Sequence, residues 1–292
     1  MLPQLSTSQT LSLFYFSTPV ILLALLWSWE SWSAFKPFTG KDRYRHALHN
    51  LTLAVLNSLL LGLLFGATVE TISRWTLAHQ WGLLNQLPIG SIWKTAAAIL
   101  LLDAWMFCWH WMNHQIPFLW RFHRMHHSDP HMDVSTATRF HWGELGISTL
   151  LRLLLIPLLG LRSEQLILYG ILVFISTQLH HANISLGRLD RYYRWLFVSP
   201  DMHKVHHSRL PHETNSNYST IFSLWDRLAR TYRMRLNLKE IDFGLPNFDQ
   251  PDWQTLMGMW KTPFYPPPVV PDSSQNDRNP HNHEGQRQSK PN

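Results

Sequence analysis

The sequence predicts an all-α integral membrane protein of about four transmembrane helices, made of three single spans and a helical hairpin, with a cytoplasmic helical cap. Three observations predict this class. Only 15% of the 292 residues are charged, whereas soluble domains usually carry about 25%. Several apolar windows are long enough to cross a bilayer. The 18 histidines, against one cysteine, gather in clusters. The mean hydropathy of −0.14 fits this class because the polar last third lowers the average.

The single spans are predicted at residues 11–29, 51–69 and 95–112. The first two windows contain no charged residue, and the third is interrupted only by Asp103. About 20 apolar residues suffice to cross a bilayer as a helix. Two shorter apolar stretches, 145–161 and 166–179, predict the hairpin, with its turn at residues 160–163. A pair of buried core helices is the alternative interpretation of these stretches.

The orientation follows from the basic residues, which favour the cytoplasmic side. Residues 1–10 contain no Lys or Arg, whereas the link between the first two spans contains Lys36, Lys41, Arg43 and Arg45. We therefore expect the N-terminus outside and the histidine clusters on the cytoplasmic side. The first stretch lacks a basic leader and a small-residue cleavage site, which indicates a retained span rather than a signal peptide.

Four segments follow from these patterns. Residues 1–94 form N-terminal transmembrane helices and a link, 95–235 a domain that carries the histidine clusters, 236–265 a C-terminal extension and 266–292 a tail. The tail is rich in Pro, Asn, Ser and Gln, which predicts disorder, with His281 and His283 as solvated side chains. Residues 191–198, RYYRWLFV, combine Arg with aromatics and indicate a segment at the level of lipid headgroups.

Three histidine clusters carry the chemistry: His110 and His114; His123, His126 and His127; and His203, His206 and His207. Residues three and four apart share a helix face, so each cluster can direct imidazoles into one space. Neutral imidazole binds Fe, Zn, Cu and Ni. Eight ligands exceed the roughly four that one ion such as zinc takes, so the clusters predict two metal ions. The isolated His79 and His131 are instead expected to be hydrogen-bonded core residues.

Local signals place these clusters on helices. Ser199 before Pro200 is a helix-start signature just ahead of His203, and Asp129 before Pro130 predicts a helix end near Ser128. Polar residues nearby are candidates to orient the imidazoles: Asp103, Asp129, Asp133, Glu144, Asn183 and Asp201. Asp103 lies two helical turns before His110, and a contact with a neighbouring helix is the alternative explanation for it.

The stretches around these histidines, with QLHHANI and NSNYSTIFSLWDRLARTY, resemble the fatty acid hydroxylase and sterol desaturase superfamily of membrane di-iron oxygenases over residues 45–232. The resemblance implies that the eight clustered histidines are ligands and that His181 is a ninth, with His180 as the alternative register. His141 matches a further family histidine, but Trp142 replaces the proline that follows it in the family, which leaves its role as ligand or orienting group open.

The resemblance also implies the activity. Two iron ions would use O₂ as co-substrate to hydroxylate or desaturate a lipid, with residues 95–235 as the catalytic domain. Electrons would come from a separate donor, such as a reductase, a ferredoxin or a cytochrome b-type protein. The sequence leaves the lipid open, and it indicates a membrane rather than nucleic acid as the partner. The alternative is a membrane metal transporter or metal-binding protein; a bis-histidine haem protein would leave most of the histidines unused.

Overall fold

The structure, a computed structural model, describes residues 7–266 of the chain. These residues form α-helices joined by loops and short 3₁₀ turns, and the described part contains no β-strand. The helices are α1 Thr7–Trp32, α2 Gly40–Ala78, α3 Leu83–Gln86, α4 Ser91–Gln115, α5 Pro117–His127, α6 Trp142–Leu159, α7 Ser163–His181, α8 Asp190–Leu196, α9 Pro200–His206, α10 Pro211–Thr214, α11 Leu224–Leu228 and α12 Leu256–Lys261. The 3₁₀ turns are Val134–Thr138, Gly187–Leu189, Leu238–Glu240, Pro251–Gln254 and Thr262–Phe264.

Four helical segments are long and apolar enough to cross a membrane: Leu13–Trp32, Gly40–Gln86, Ser91–Gln115 and Trp142–Leu159. Large apolar side chains point outward along them, as expected where lipid rather than water surrounds a helix; Phe16 is 73% exposed, Leu63 84% and Leu154 67%. The three windows predicted as single spans lie inside α1, α2 and α4. The predicted all-helical membrane fold is confirmed.

Helix α2 is longer than its predicted span. Its 39 residues extend about 58 Å at 1.5 Å per residue, whereas the hydrocarbon core is about 30 Å thick. Lys41, Arg43 and Arg45, which the sequence placed in a link, therefore lie in its first turns. The side chain of Arg43 can be buried because its guanidinium pairs with the carboxylate of Glu30 on α1 at 2.9 Å.

The predicted hairpin is formed by α6 and α7, with a turn at residues 160–162. Gly160 adopts φ +78°, and a Cβ there would lie 2.8 Å from the side chain of Asn85. The turn therefore requires glycine both for its backbone conformation and for this close approach. Helix α7 packs along α1, where the ring of Tyr15 lies 2.8 Å from the position of a Cβ at Gly170.

Helix α5 and helices α8 to α12 form a cap that meets the ends of α4 and α7. Helix α5 starts at Pro117 and ends at His127, and α9 starts after the cap Ser199, whose hydroxyl accepts the Met202 N–H at 3.1 Å. Both boundaries match the sequence prediction. The segment after residue 250 packs back on α2 and α5 through α12 and the turn Thr262–Phe264.

The expected core placement of His79 and His131 is wrong, although His79 does form a hydrogen bond with the carbonyl of Trp75 at 2.9 Å. His79 is exposed at the C-terminal end of α2, and His131 is an exposed residue stacked on Phe38 at 3.8 Å between ring centroids. Neither is a core residue, because each lies in a loop or at a helix end rather than on an inward helix face. The tail predicted at 266–292, with His281 and His283, lies beyond the described chain from residue 267 on.

Candidate metal centre

Nine histidines come together in two groups where α4, α5, α7 and α9 meet. In each group, one ligand atom from every residue lies within 4.8 Å of the others. The larger group contains five residues and the smaller group four. The five-histidine group is His110, His114, His123, His127 and His206, and the four-histidine group is His126, His181, His203 and His207.

Each H-x-x-H-H motif is divided between the two groups. On α5, His123 and His127 point into the five-histidine group, whereas His126 points into the four-histidine group. On α9 the division is reversed, because His206 joins the five-histidine group while His203 and His207 join the other. Positions i and i+4 share a helix face, and position i+3 lies about 60° away from i and 100° from i+4. One short helix can therefore supply two adjacent sites.

The distances between ring nitrogens fit metal ligands. The Nε2 atoms of His110 and His123 are 3.1 Å apart. In the other group, Nε2 of His181 lies 3.0 Å from Nε2 of His126 and 3.0 Å from Nε2 of His203. Two nitrogens that bind one ion at about 2.1 Å and at right angles to each other are about 3.0 Å apart. The spacing is that of imidazoles converging on a common ion.

Hydrogen bonds at Nδ1 fix the orientation of five of these rings. His110 Nδ1–H donates to the carbonyl of Tyr218 at 2.8 Å, His206 to that of Ser216 at 2.7 Å and His181 to that of Thr177 at 2.7 Å. His114 faces the side-chain oxygen of Asn215 at 3.3 Å. A proton held on Nδ1 leaves the Nε2 lone pair free to bind a metal, which is how outer partners commonly orient metal-binding histidines.

Glu144 orients the fifth ring. Its Oε1 accepts the Nδ1–H of His123 at 2.9 Å and the side-chain amide of Asn113 at 3.2 Å. Both members of the His123–Glu144 pair are buried, so the carboxylate cannot exchange this partner for bulk water. The sequence proposed Glu144 for such a role, and the structure gives it a direct contact with a clustered histidine.

Several grouped imidazoles, including two of the five oriented rings, carry buried nitrogens without partners. Among the described residues, both ring nitrogens of His127 and His207 and Nε2 of His114 and His206 have no hydrogen-bond partner. Such atoms are costly in a dry interior unless something binds them. Burial lowers the pKa of His206 to about 3 and that of His126, His127, His203 and His207 well below the usual value. The rings are therefore neutral, the form that binds metals.

Asp129 and Asp133 do not contact the two groups. Asp129 accepts the Nε2–H of His46 at 2.8 Å and the hydroxyl of Thr136 at 2.7 Å, while Asp133 lies 3.3 Å from Nδ1 of His46. His46 on α2 is thus held between two buried carboxylates. This network attaches the start of α2 to the loop that follows α5.

Three further candidates, Asn183, Asp201 and Asp103, make polar contacts away from the two histidine groups. Asn183 bridges to the backbone of Lys36 through two hydrogen bonds of 2.9 and 2.7 Å, and Asp201 pairs with Lys204 at 3.2 Å. Asp103 accepts the indole N–H of Trp225 at 2.8 Å and the backbone N–H groups of residues 221 and 222. The interpretation of Asp103 as a contact with a neighbouring element therefore fits the structure.

His141 and His180 belong to neither group, and only His180 lies in contact with grouped histidines. The Nδ1 of His141 accepts the backbone N–H of Gly143 at 2.9 Å and caps α6. The ring of His180 lies 3.9 Å from that of His203 between centroids, whereas His181 belongs to the four-histidine group. Of the two registers that the sequence left open, the structure brings His181 to the other histidines.

Sequence reasoning missed the backbone carbonyls of Thr177, Ser216 and Tyr218, which orient three of the rings. A carbonyl leaves no signature in the residue type, so no signal in the sequence could have identified these three. It also missed the role of His46 as the partner of Asp129 and Asp133. His46 lies about one helical turn before the predicted second span, and both aspartates were among the candidates.

Fold and geometry define a class: a helical membrane protein whose cap joins two adjacent groups of histidines, each able to hold a metal ion. Comparison with known proteins gives the family. Residues 95–231 match the family model described as fatty acid hydroxylase, so this segment of the chain is similar to the fatty acid hydroxylase family. The resemblance inferred from the sequence is confirmed.

Three curated relatives illustrate the family. Ornithine lipid hydroxylase of Rhizobium tropici is 28% identical over 198 residues, which are 63% of this chain and 55% of the relative. Alkylglycerol monooxygenase of Xenopus tropicalis is 25% identical over 226 residues, 76% of this chain and 46% of the relative. Cholesterol 25-hydroxylase of Rattus norvegicus is 28% identical over 160 residues, 50% of this chain and 49% of the relative.

The chain spans about half the length of these curated relatives. No solved structure matches it.

Proposed function

We propose that this chain is a membrane-bound di-iron oxygenase that uses O₂ to hydroxylate a lipid. The observation that carries the proposal is the pair of histidine groups, nine imidazoles that converge in a largely buried site. The named activities of the relatives, hydroxylases and monooxygenases of lipids, favour hydroxylation over the desaturation that the sequence also allowed.

The donor set fits two iron ions. Imidazole suits iron, and the five- and four-membered groups each offer enough nitrogens for one ion. In a membrane oxygenase, a bound iron pair supplies the redox chemistry that an unactivated C–H bond requires, which no acid–base pair of side chains can provide. We propose the ligands as His110, His114, His123, His127 and His206 for one ion and His126, His181, His203 and His207 for the other.

The protein's own residues would position and protect this chemistry. The carbonyls of Thr177, Ser216 and Tyr218 and the carboxylate of Glu144 hold the Nδ1 protons, so the rings keep the tautomer that binds metal. His110 and His114 are the only half-buried members of the two groups. Their side of the five-histidine group, beside Trp120 and Tyr218, is where a substrate carbon would approach, while the fully buried four-histidine group excludes water.

The topology and partners complete the proposal. We propose that the N-terminus lies outside and that the histidine groups lie at the cytoplasmic side. Residues 95–235 are then the catalytic domain, and residues 236–265 are an extension of it. Electrons come from a separate donor protein. The positive-inside distribution of Lys and Arg supports this orientation. The exposed apolar helices support a site beside the membrane, which would supply the lipid substrate.

Metal transport is the alternative, and the geometry disfavours it. In a metal transporter, polar ligands are expected near the middle of the membrane, spread over several spans. Of the nine grouped histidines, His110 and His114 lie in the last two turns of α4 and His181 ends α7, while the others lie on the cap helices α5 and α9 or at the end of α9. The histidines therefore collect at one end of the helices and leave no series of sites across the membrane.

Two single substitutions test the proposal. We expect His126→Ala, from the four-histidine group, and His206→Ala, from the five-histidine group, to abolish lipid hydroxylation and lower bound metal while the protein still inserts. The matched control is His79→Ala, since His79 is exposed and far along the sequence from the groups. Full activity of either cluster variant would contradict the site. An equal loss of activity in the control would show that the assay reports on folding instead.

A further inference from the structure

Two short cap segments meet to form one exposed surface. Residues 188–196, which include α8, and residues 223–230, which include α11, are joined by hydrogen bonds: the backbone N–H of Ser223 donates to the carbonyl of Leu196 at 3.0 Å, and the guanidinium of Arg227 donates to the carbonyl of Arg194 at 2.9 Å. The two segments together are called the α8–α11 surface. The metal centre does not involve them.

Large apolar side chains dominate this surface. Trp195 is 74% exposed, Leu189 69%, Leu228 68% and Tyr192 63%. A contiguous group of such residues on a soluble surface indicates a partner or a membrane. Trp and Tyr are the side chains enriched at the level of lipid headgroups, where one end is apolar and the other wet.

The charges on this surface have a single sign. Arg188, Arg191, Arg227 and Arg230 are exposed, and all four acidic residues between positions 185 and 230 are buried. Two of these acids lie in the surface segments and turn inward. Asp190 pairs with Arg194, and Asp226 accepts the backbone N–H groups of residues 218 and 219 at 2.8 and 2.9 Å. The outward face therefore combines arginines with aromatic and aliphatic groups and complements an anionic, partly apolar partner.

The attachment of the α8–α11 surface to α4 indicates which partner it binds. Asp103 binds the indole of Trp225 and the backbone just before α11. Asp103 lies on α4, which is long and apolar enough to cross a membrane. The α8–α11 surface is therefore attached to the side of a membrane-spanning helix rather than to the outer tip of the cap, and a bilayer is its nearest neighbour.

We propose that the α8–α11 surface is a membrane-interfacial binding site for anionic phospholipid headgroups. Trp195, Tyr192 and the leucines insert among the headgroups and upper acyl chains. The four exposed arginines contact the phosphates of anionic lipids, for which guanidinium is well suited. The site enriches anionic lipid locally and fixes the cap on the bilayer, independently of the metal centre.

A site-directed probe tests this proposal in the full chain. Cys108 is the only cysteine, so a Cys108→Ser, Trp195→Cys variant can carry a single fluorophore at the centre of the surface. The control carries it at Lys239→Cys, an exposed polar position outside the surface. Both proteins are reconstituted into phosphatidylcholine vesicles that contain equal mole fractions of doxyl-labelled phosphatidylglycerol or doxyl-labelled phosphatidylcholine with the label near the headgroup.

We expect both doxyl lipids to quench the probe at position 195 more than the probe at position 239, and doxyl-phosphatidylglycerol to quench it more than doxyl-phosphatidylcholine. Replacing Arg191 and Arg227 by Gln should remove this preference, since each basic residue near the surface contributes roughly a fivefold enrichment. Equal quenching by the two lipids in the parent would overturn headgroup recognition. No quenching at position 195 would overturn the membrane contact and point to a protein partner or a second copy.

Discussion

Glu144 offers the sharpest single perturbation of the metal centre, because it contacts one histidine group and not the other. Its carboxylate accepts the Nδ1–H of His123 at 2.9 Å inside a buried pair. Removal of an outer partner of this kind typically lowers metal affinity or activity about 10- to 100-fold. Glu144→Gln keeps an acceptor oxygen and loses the charge, so we expect a loss near tenfold, or about 1.4 kcal/mol.

Glu144→Ala should fall near the hundredfold end, because it leaves the N–H of His123 and the amide of Asn113 without their acceptor. The assay is a chelator competition with Zn²⁺ as a redox-inert probe, read as the affinity of each bound equivalent. One equivalent should weaken and the other, in the four-histidine group, should not. Glu164→Gln is the matched control, since Glu164 is half-exposed at 3.6 Å from Arg162. Unchanged affinity for both equivalents, or an equal loss of both, would refute the assignment of Glu144 to His123.

Three further predictions concern the stability of the fold, the stability of the metal-free protein in acid and the role of the C-terminal tail. Asp103→Ala should leave three hydrogen-bond donors at residues 221–225 unpaired, at a cost of roughly 1–3 kcal/mol each. It should therefore lower the melting temperature and speed amide hydrogen exchange at residues 221–225, and Asp103→Asn should lower the melting temperature less. Unchanged amide exchange in Asp103→Ala would contradict the contact. For His126, His127, His203 and His207, the folded pKa lies below the unfolded value of about 6.5, so the unfolded chain binds more protons in acid. Metal-free protein should therefore be less stable at pH 5.5 than at pH 7.5, by roughly 1.4 kcal/mol per buried histidine, and equal melting temperatures would contradict neutral buried rings. Removal of the residues after Pro268 should leave metal content and activity nearly intact, and an inactive truncation would show that the tail takes part.

The histidine clusters and the apolar spans could be predicted because residue type determines both. Uncharged windows such as 51–69 have few stable environments other than a bilayer, and phased histidines such as His203, His206 and His207 have few uses other than ligation. Helix-start chemistry at Ser199 and Pro200 depends on neighbours in sequence, so the start of α9 was predictable too.

The division of each cluster between two groups was not predictable, because it depends on how α5 and α9 face each other. His126 and His127 are adjacent in sequence yet belong to different groups. The roles of polar residues were harder still. Asp129 and Asp201 flank the clusters in sequence, but helix geometry directs them to His46 and Lys204. Of the acidic residues proposed from the sequence, Glu144 alone hydrogen-bonds a grouped ring, and that contact with His123 depends on the packing of α5 against α6.

The most direct test of the account is elemental analysis of the purified chain in detergent, beside a His203→Ala, His206→Ala, His207→Ala variant. The account predicts about two irons per chain in the parent and a clear loss in the variant, which removes ligands from both groups. If zinc is found instead, ferrous reconstitution must restore O₂ consumption, because imidazole sites also bind zinc. Folded parent protein with no bound metal, or with as much metal as the variant, would contradict the proposed di-iron centre.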